Sequence, residues 1–88
     1  MNTEYSTSYQ KDIKKVINPA LREKIKQAIL SVKEATMKRD IPNLRKLKGH
    51  EVHYRIKVGR YRIGVTIEND LVTFEVFDHR KDFYKHFP

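Results

Sequence analysis

The sequence predicts a two-layer α+β fold in the order β-α-α-β-β-β: a helical hairpin packed on a mostly antiparallel sheet, followed by a short C-terminal helix. Three observations carry this prediction. Residues 52–62, VHYRIKVGRYR, alternate apolar and cationic side chains around Gly59-Arg60, the period of a half-buried strand interrupted by a two-residue hairpin turn. Residues 61–78 repeat the alternation on either side of Asn69-Asp70, a second turn pair. Residues 8–38 instead space their apolar side chains at helical intervals. At 88 residues the chain is long enough for one core and reads as a single domain over 1–88.

Thr3 and Tyr5 suggest a short first strand in residues 2–6. Thr7 and Gln10 have capping-box spacing, and Tyr9, Ile13, Val16 and Ile17 recur at i, i+4, i+7 and i+8, predicting a helix from about Ser8 to Ile17. Asn18-Pro19 starts a second helix, with Asn as N-cap and Pro where its missing N–H costs nothing. Leu21, Ile25, Ala28, Ile29 and Val32 form its apolar stripe, with Arg22, Glu23, Lys24, Lys26 and Lys33 on the wet side, and it should run to about Lys38. Ile41-Pro42 ends the helical region, and residues 43–50 read as a basic connection anchored by Leu44 and Leu47.

The first hairpin puts Val52, Tyr54, Ile56 and Val58 on one side and Arg55 and Lys57 on the other. Gly59 supplies the positive φ that a type II′ turn needs, which sets Val58 opposite Tyr61, Lys57 opposite Arg62, Ile56 opposite Ile63 and Arg55 opposite Gly64. Tyr61, Ile63, Val65 and Ile67 then face the core. Asn69-Asp70, as a type I′ turn, leads into a last strand from Leu71 to about Asp78, with Val72, Phe74 and Val76 opposite Ile67, Val65 and Ile63, and Glu75 opposite Gly64. Asp78 would cap a tail helix that carries Arg80 and Tyr84 on one face and docks Phe83 and Phe87.

Composition narrows the chemistry. With no cysteine, a disulfide framework, a thiolate zinc site and a cysteine nucleophile are excluded. The four histidines lack metal-ligand spacing, so neither a metal site nor a cofactor is expected. No apolar leader or membrane span of about 18 residues is present, so a cytoplasmic protein with no membrane partner is expected. Net charge is +8 and pI ≈ 9.8. Between Arg45 and Arg62, seven cations (Arg45, Lys46, Lys48, Arg55, Lys57, Arg60, Arg62) stand against Glu51 alone, the footprint of a phosphate-backbone binder. Lys57 opposite Arg62 costs a few tenths to about 1 kcal/mol against a neutral pair. A solvated outer face explains any one of these cations. Arg55, Lys57 and Arg62 together, on a face opened by Gly64, point to an anion site, with phosphate as the candidate.

Leu44-Arg-Lys-Leu-Lys-Gly49, Tyr54-Arg-Ile-Lys-Val-Gly-Arg-Tyr-Arg62 and His79-Arg-Lys-Asp-Phe-Tyr84 resemble the RelE/ParE superfamily of bacterial and archaeal type II toxins, in particular the RelE-like mRNA interferases. With the helical hairpin the resemblance covers nearly the whole chain. It implies a RelE-like fold and ribosome-dependent mRNA cleavage without a metal, by 2′-OH attack to a 2′,3′-cyclic phosphate. It implies catalytic roles for Lys57, Arg62, Arg80 and Tyr84, with Arg55, Arg45, Lys46, Lys48 and His79 binding substrate. The implied partners are a cognate antitoxin, the ribosome and mRNA. Arg55 stands where the best-known pattern has lysine. An arginine does not give up its proton near neutral pH, so base chemistry would fall to Lys57, Tyr84 or a bordering histidine. Imidazole titrates near neutrality, which favours His79 among these. Two other readings stay open: a ParE-like inhibitor of DNA gyrase, and a nucleic-acid-binding module without catalysis.

Overall fold

In the computed structural model, which describes residues 1–88, alternation and turn chemistry produce five strands: β1 (Asn2–Tyr5), β2 (Leu44–Lys46), β3 (His53–Val58), β4 (Tyr61–Glu68) and β5 (Leu71–His79). They form one sheet in the order β1-β5-β4-β3-β2. All neighbours are antiparallel except β1, which runs parallel to β5. Helices α1 (Thr7–Lys14) and α2 (Pro19–Glu34) connect β1 to β2, and α3 (Arg80–His86) follows β5. The α+β order predicted from the sequence is present, with one strand added. No helix is long and apolar enough to cross a membrane.

Both predicted helices are shorter than their periodicity. In α1 the N-cap is Ser6, whose hydroxyl oxygen accepts the Tyr9 N–H at 3.0 Å, and the helix stops at Lys14. Reversing direction into Asn18-Pro19 uses up the last turn, which leaves Ile17 88% exposed instead of in the stripe. Asn18 caps α2 as predicted, its Oδ1 accepting the Leu21 N–H at 3.0 Å. The helix ends at Glu34, short of Lys38, where the chain makes a separate 3-10 turn over Lys38–Asp40. At that end the Met1 ammonium donates to the carbonyls of Val32, Lys33 and Ala35 at 2.6–3.2 Å, taking up acceptors that a helix C-terminus leaves unsatisfied.

Residues 43–50 are not merely a connection. Leu44–Lys46 pair with Tyr54–Ile56 as an edge strand, three residues being too few for a visible period. The β3–β4 register is the predicted one at every pair from Arg55–Gly64 to Val58–Tyr61, and Gly59 has φ +59°. At Asn69-Asp70 only Asn69 has positive φ, the sign pattern of type II′ and not of the predicted type I′.

The β4–β5 register holds at Ile67–Val72 and Val65–Phe74 and then shifts between Gly64 and Val65. Glu75 is an extra residue in β5, a β-bulge, so Gly64 pairs with Val76, Ile63 with Phe77, Arg62 with Asp78 and Tyr61 with His79. The predicted placements of Val76 opposite Ile63 and of Glu75 opposite Gly64 are therefore corrected. Side chains at the foot of α1 satisfy the backbone groups around the bulge. Ser6 donates its hydroxyl to the Glu75 carbonyl at 2.7 Å, and an Asp12 carboxylate oxygen accepts the Phe77 N–H at 3.0 Å. The shift lets both Phe74 and Phe77 enter the main core while Val76 turns to the other face.

Two apolar clusters result. Fifteen buried residues between the helical hairpin and the sheet form the larger. Leu47, Phe83 and Phe87 form the smaller, on the opposite face beneath α3.

Candidate functional site

The sheet face away from the helical hairpin collects the cations. Directly paired residues share a face, so the Arg45–Arg55 and Lys57–Arg62 pairs, with Arg55 and Lys57 two apart on β3, put four cations on three adjacent strands. Arg45–Arg55 is a second like-charged pair, created by the edge strand. Asp78 belongs to the same row, opposite Arg62 on its other side.

Backbone carbonyls, not carboxylates, orient the two central arginines. Arg62 Nη1 donates to the Gly59 and Tyr61 carbonyls at 3.0 and 2.9 Å. Arg55 Nη1 donates to the Asn43 carbonyl at 3.0 Å, and the same oxygen accepts the Lys57 N–H at 3.2 Å. Asn43 has φ +63°, a left-handed conformation that asparagine tolerates better than most residues. Carbonyl partners hold a guanidinium without cancelling its charge. Lys85 is the only Lys or Arg with a carboxylate within 4 Å, that of Asp82 at 3.8 Å. Glu75 pairs with neither Arg55 nor another cation; it accepts the Thr66 hydroxyl at 3.1 Å.

The tail helix brings two further candidates. Asp78 is not its cap: His79 is, its Nδ1 accepting the Lys81 N–H at 3.1 Å. The Arg80 N–H donates to the Arg60 carbonyl at 2.9 Å, tying the start of α3 to the hairpin turn beside Arg62. Phe83 and Phe87 dock the helix, whereas Tyr84 remains 61% exposed with its ring edge-on to Phe83 at 4.9 Å. The face is not opened by Gly64 as predicted. A Cβ there would lie 2.7–2.9 Å from the Phe87 ring, so the tail fills that space and the cations surround it.

Three predicted substrate residues fall elsewhere. Lys46 pairs with Tyr54 and so belongs to the helix-bearing face. Lys48 lies in the turn beyond β2. His79 pairs with Tyr61, also on the helix-bearing face, and packs edge-on against that ring at 5.3 Å; its place is set by the β5 bulge. Sequence reasoning also misses Asn43, because a backbone carbonyl that aims an arginine leaves no side-chain signal, and His86, whose Nδ1 lies 2.6 Å from Oδ2 of Asp78. No three His, Asp or Glu side chains converge as possible metal ligands. One concavity beside α2 is lined by Glu23, Lys24, Gln27, Asn43 and Lys57. The cationic face is open, which suits a polymer better than a small ligand.

No family model matches the chain. Over 89 residues it is 34% identical to "Toxin RelE3" of Methanocaldococcus jannaschii, with both chains covered in full. Its fold is similar to a chain of the RelB-RelE antitoxin-toxin complex from Methanococcus jannaschii, with a TM-score of 0.78 and 32% identity over 97% of this chain and 99% of that one. It also matches the intact E. coli RelBE toxin-antitoxin complex, with a TM-score of 0.69 and 21% identity over 89% and 94% of the two chains, a likeness of fold.

Proposed function

The chain belongs to the RelE family of toxins, and from that premise we propose that it is the toxin of a type II toxin-antitoxin system, a cytoplasmic endoribonuclease that cleaves mRNA on the ribosome. The observation that carries the reading is the set of four cations on one sheet face, without carboxylate partners, on the side where the tail helix bearing the exposed Tyr84 docks.

Cleavage by the 2′-OH forms a bond from the 2′-oxygen to phosphorus and breaks the bond to the 5′-oxygen, leaving a 2′,3′-cyclic phosphate and a 5′-OH. The protein must accept one proton, stabilise the added charge on the phosphorane and return a proton to the leaving oxygen. No metal ion takes part in this reading. Arg62 and Arg55, aimed by backbone carbonyls, are suited to the second task, since preorganised cations need no rearrangement as charge develops. Lys57 and Tyr84 are assigned the proton exchange, and Arg80 stabilises the leaving oxygen. Tyr84 also offers its ring to a base, and Arg45 extends the basic track along the RNA backbone. His79 is left out of the proton transfer, its Nδ1 being engaged in the α3 cap. A cognate RelB-like antitoxin is the protein partner.

The test is to add the purified chain to a programmed ribosome and map mRNA ends, with a gyrase supercoiling assay in parallel. Cleavage in the A-site codon that disappears in Arg62→Ala supports the reading. Supercoiling inhibition with intact mRNA would replace it with gyrase inhibition, and RNA binding without either effect would reduce it to a binding module.

A further inference from the structure

Asp78 is an acid set in a row of cations. Its partner across β4 and β5 is Arg62, and directly opposed side chains have Cβ atoms about 4.5–5.5 Å apart, a span that an arginine fork readily closes onto a carboxylate. Here it does not close. Oδ2 of Asp78 is taken by Nδ1 of His86 at 2.6 Å, and Oδ1 by the His79 N–H at 2.9 Å. Arg62 turns away to the Gly59 and Tyr61 carbonyls. Phe83 and Phe87 hold α3 in place by their burial, while the His86 side chain is 62% exposed, so docking the tail does not require the imidazole.

We propose that His86 is a positioning residue: by holding the Asp78 carboxylate it keeps that charge off Arg62 and leaves the guanidinium free for an RNA phosphodiester. The inference rests on the reading of Arg62 as a phosphate ligand. Lys57, the other cation in this row, lies on the far side of Arg62 from Asp78. Without the imidazole, the cation directly opposite the carboxylate across the sheet is Arg62.

Two measurements on the full chain test this. NMR of the Arg62 guanidinium reports whether it is paired, independently of any cleavage. In His86→Ala its rotation should slow and its signals shift. Neither change should occur in His86→Asn, whose amide nitrogen stands where Nδ1 stands, or in the double variant Asp78→Asn/His86→Ala. On the ribosome, His86→Ala should cleave about five- to tenfold more slowly, the scale of one partly exposed ion pair competing for the guanidinium. His86→Asn and the double variant should recover the rate. A structural role for His86 would leave the double variant as slow as His86→Ala, and that result, or an unchanged Arg62 signal in His86→Ala, overturns the inference. If the Arg62 signals respond as expected but wild-type protein cleaves no mRNA, the proposed function fails and the control of Arg62 by His86 stands.

Discussion

The two faces of the sheet are built on different terms. Between the hairpin and the sheet, fifteen buried residues pack together, and Val32, Ile63, Val65, Val72 and Phe74 are wholly inaccessible. On the other face only Leu47, Phe83 and Phe87 are buried as a cluster, and around them cations face cations. Each fully buried Val, Ile or Phe stabilises by about 1.5–3 kcal/mol, whereas each like-charged cross-strand pair costs roughly 0.2–1 kcal/mol. One face therefore stabilises the molecule well enough for the other to carry an unfavourable but useful arrangement of charge.

Four substitutions break or sharpen that contrast. The largest effect belongs to the packed face: Phe74→Ala should destabilise by about 3–5 kcal/mol, read as a fall in the urea midpoint at unchanged slope. On the cationic face, Arg62→Ala should lower mRNA cleavage about 10²–10³-fold while leaving stability within about 0.5 kcal/mol of wild type. A loss of stability like that of Phe74→Ala would show that the two faces do not divide the work. Gly64→Ala tests the seam between them. The new Cβ must push the Phe87 ring aside, for about 1–3 kcal/mol, and hydrogen exchange should rise in α3 before it rises in α2.

The smallest effect has the opposite sign. The Tyr9 hydroxyl is buried in the main core without a hydrogen-bond partner, so Tyr9→Phe should stabilise by about 1 kcal/mol. Burial, with Tyr5 adding to it, pushes the Tyr9 phenol far above its ordinary range. The wild-type contribution is then complete below about pH 10 and lost above it, because the unfolded chain gives up its phenol proton first. Tyr9→Phe should lack that part of the alkaline decline in thermal melts, and an identical decline in both proteins would rule the burial argument out.

Much of this contrast is legible in the chain. Gly59 and the alternation on either side of it specify the β3–β4 register, and with it the shared face of Arg55, Lys57 and Arg62. Asn18-Pro19 marks where α2 begins, and the tail aromatics Phe83 and Phe87 are recognisable as docking residues. Other features are not legible. Lys46 reads as one more member of the basic track, yet its partner Tyr54 puts it on the packed face. His79 looks like the natural base, yet the β5 bulge turns it toward Tyr61.

By itself the sequence determined whatever depends on neighbours a few residues apart: turn chemistry, caps, strand and helix periods, and the concentration of positive charge in one fifth of the chain. Tertiary structure decided what depends on partners dozens of residues away. Ser6 and Asp12 bind the backbone around the Glu75 bulge, the Met1 ammonium meets carbonyls at the end of α2, and Phe87 settles over Gly64. Backbone groups must find partners and apolar rings must leave water wherever the folded chain brings them together, and a local pattern carries no record of such distant meetings.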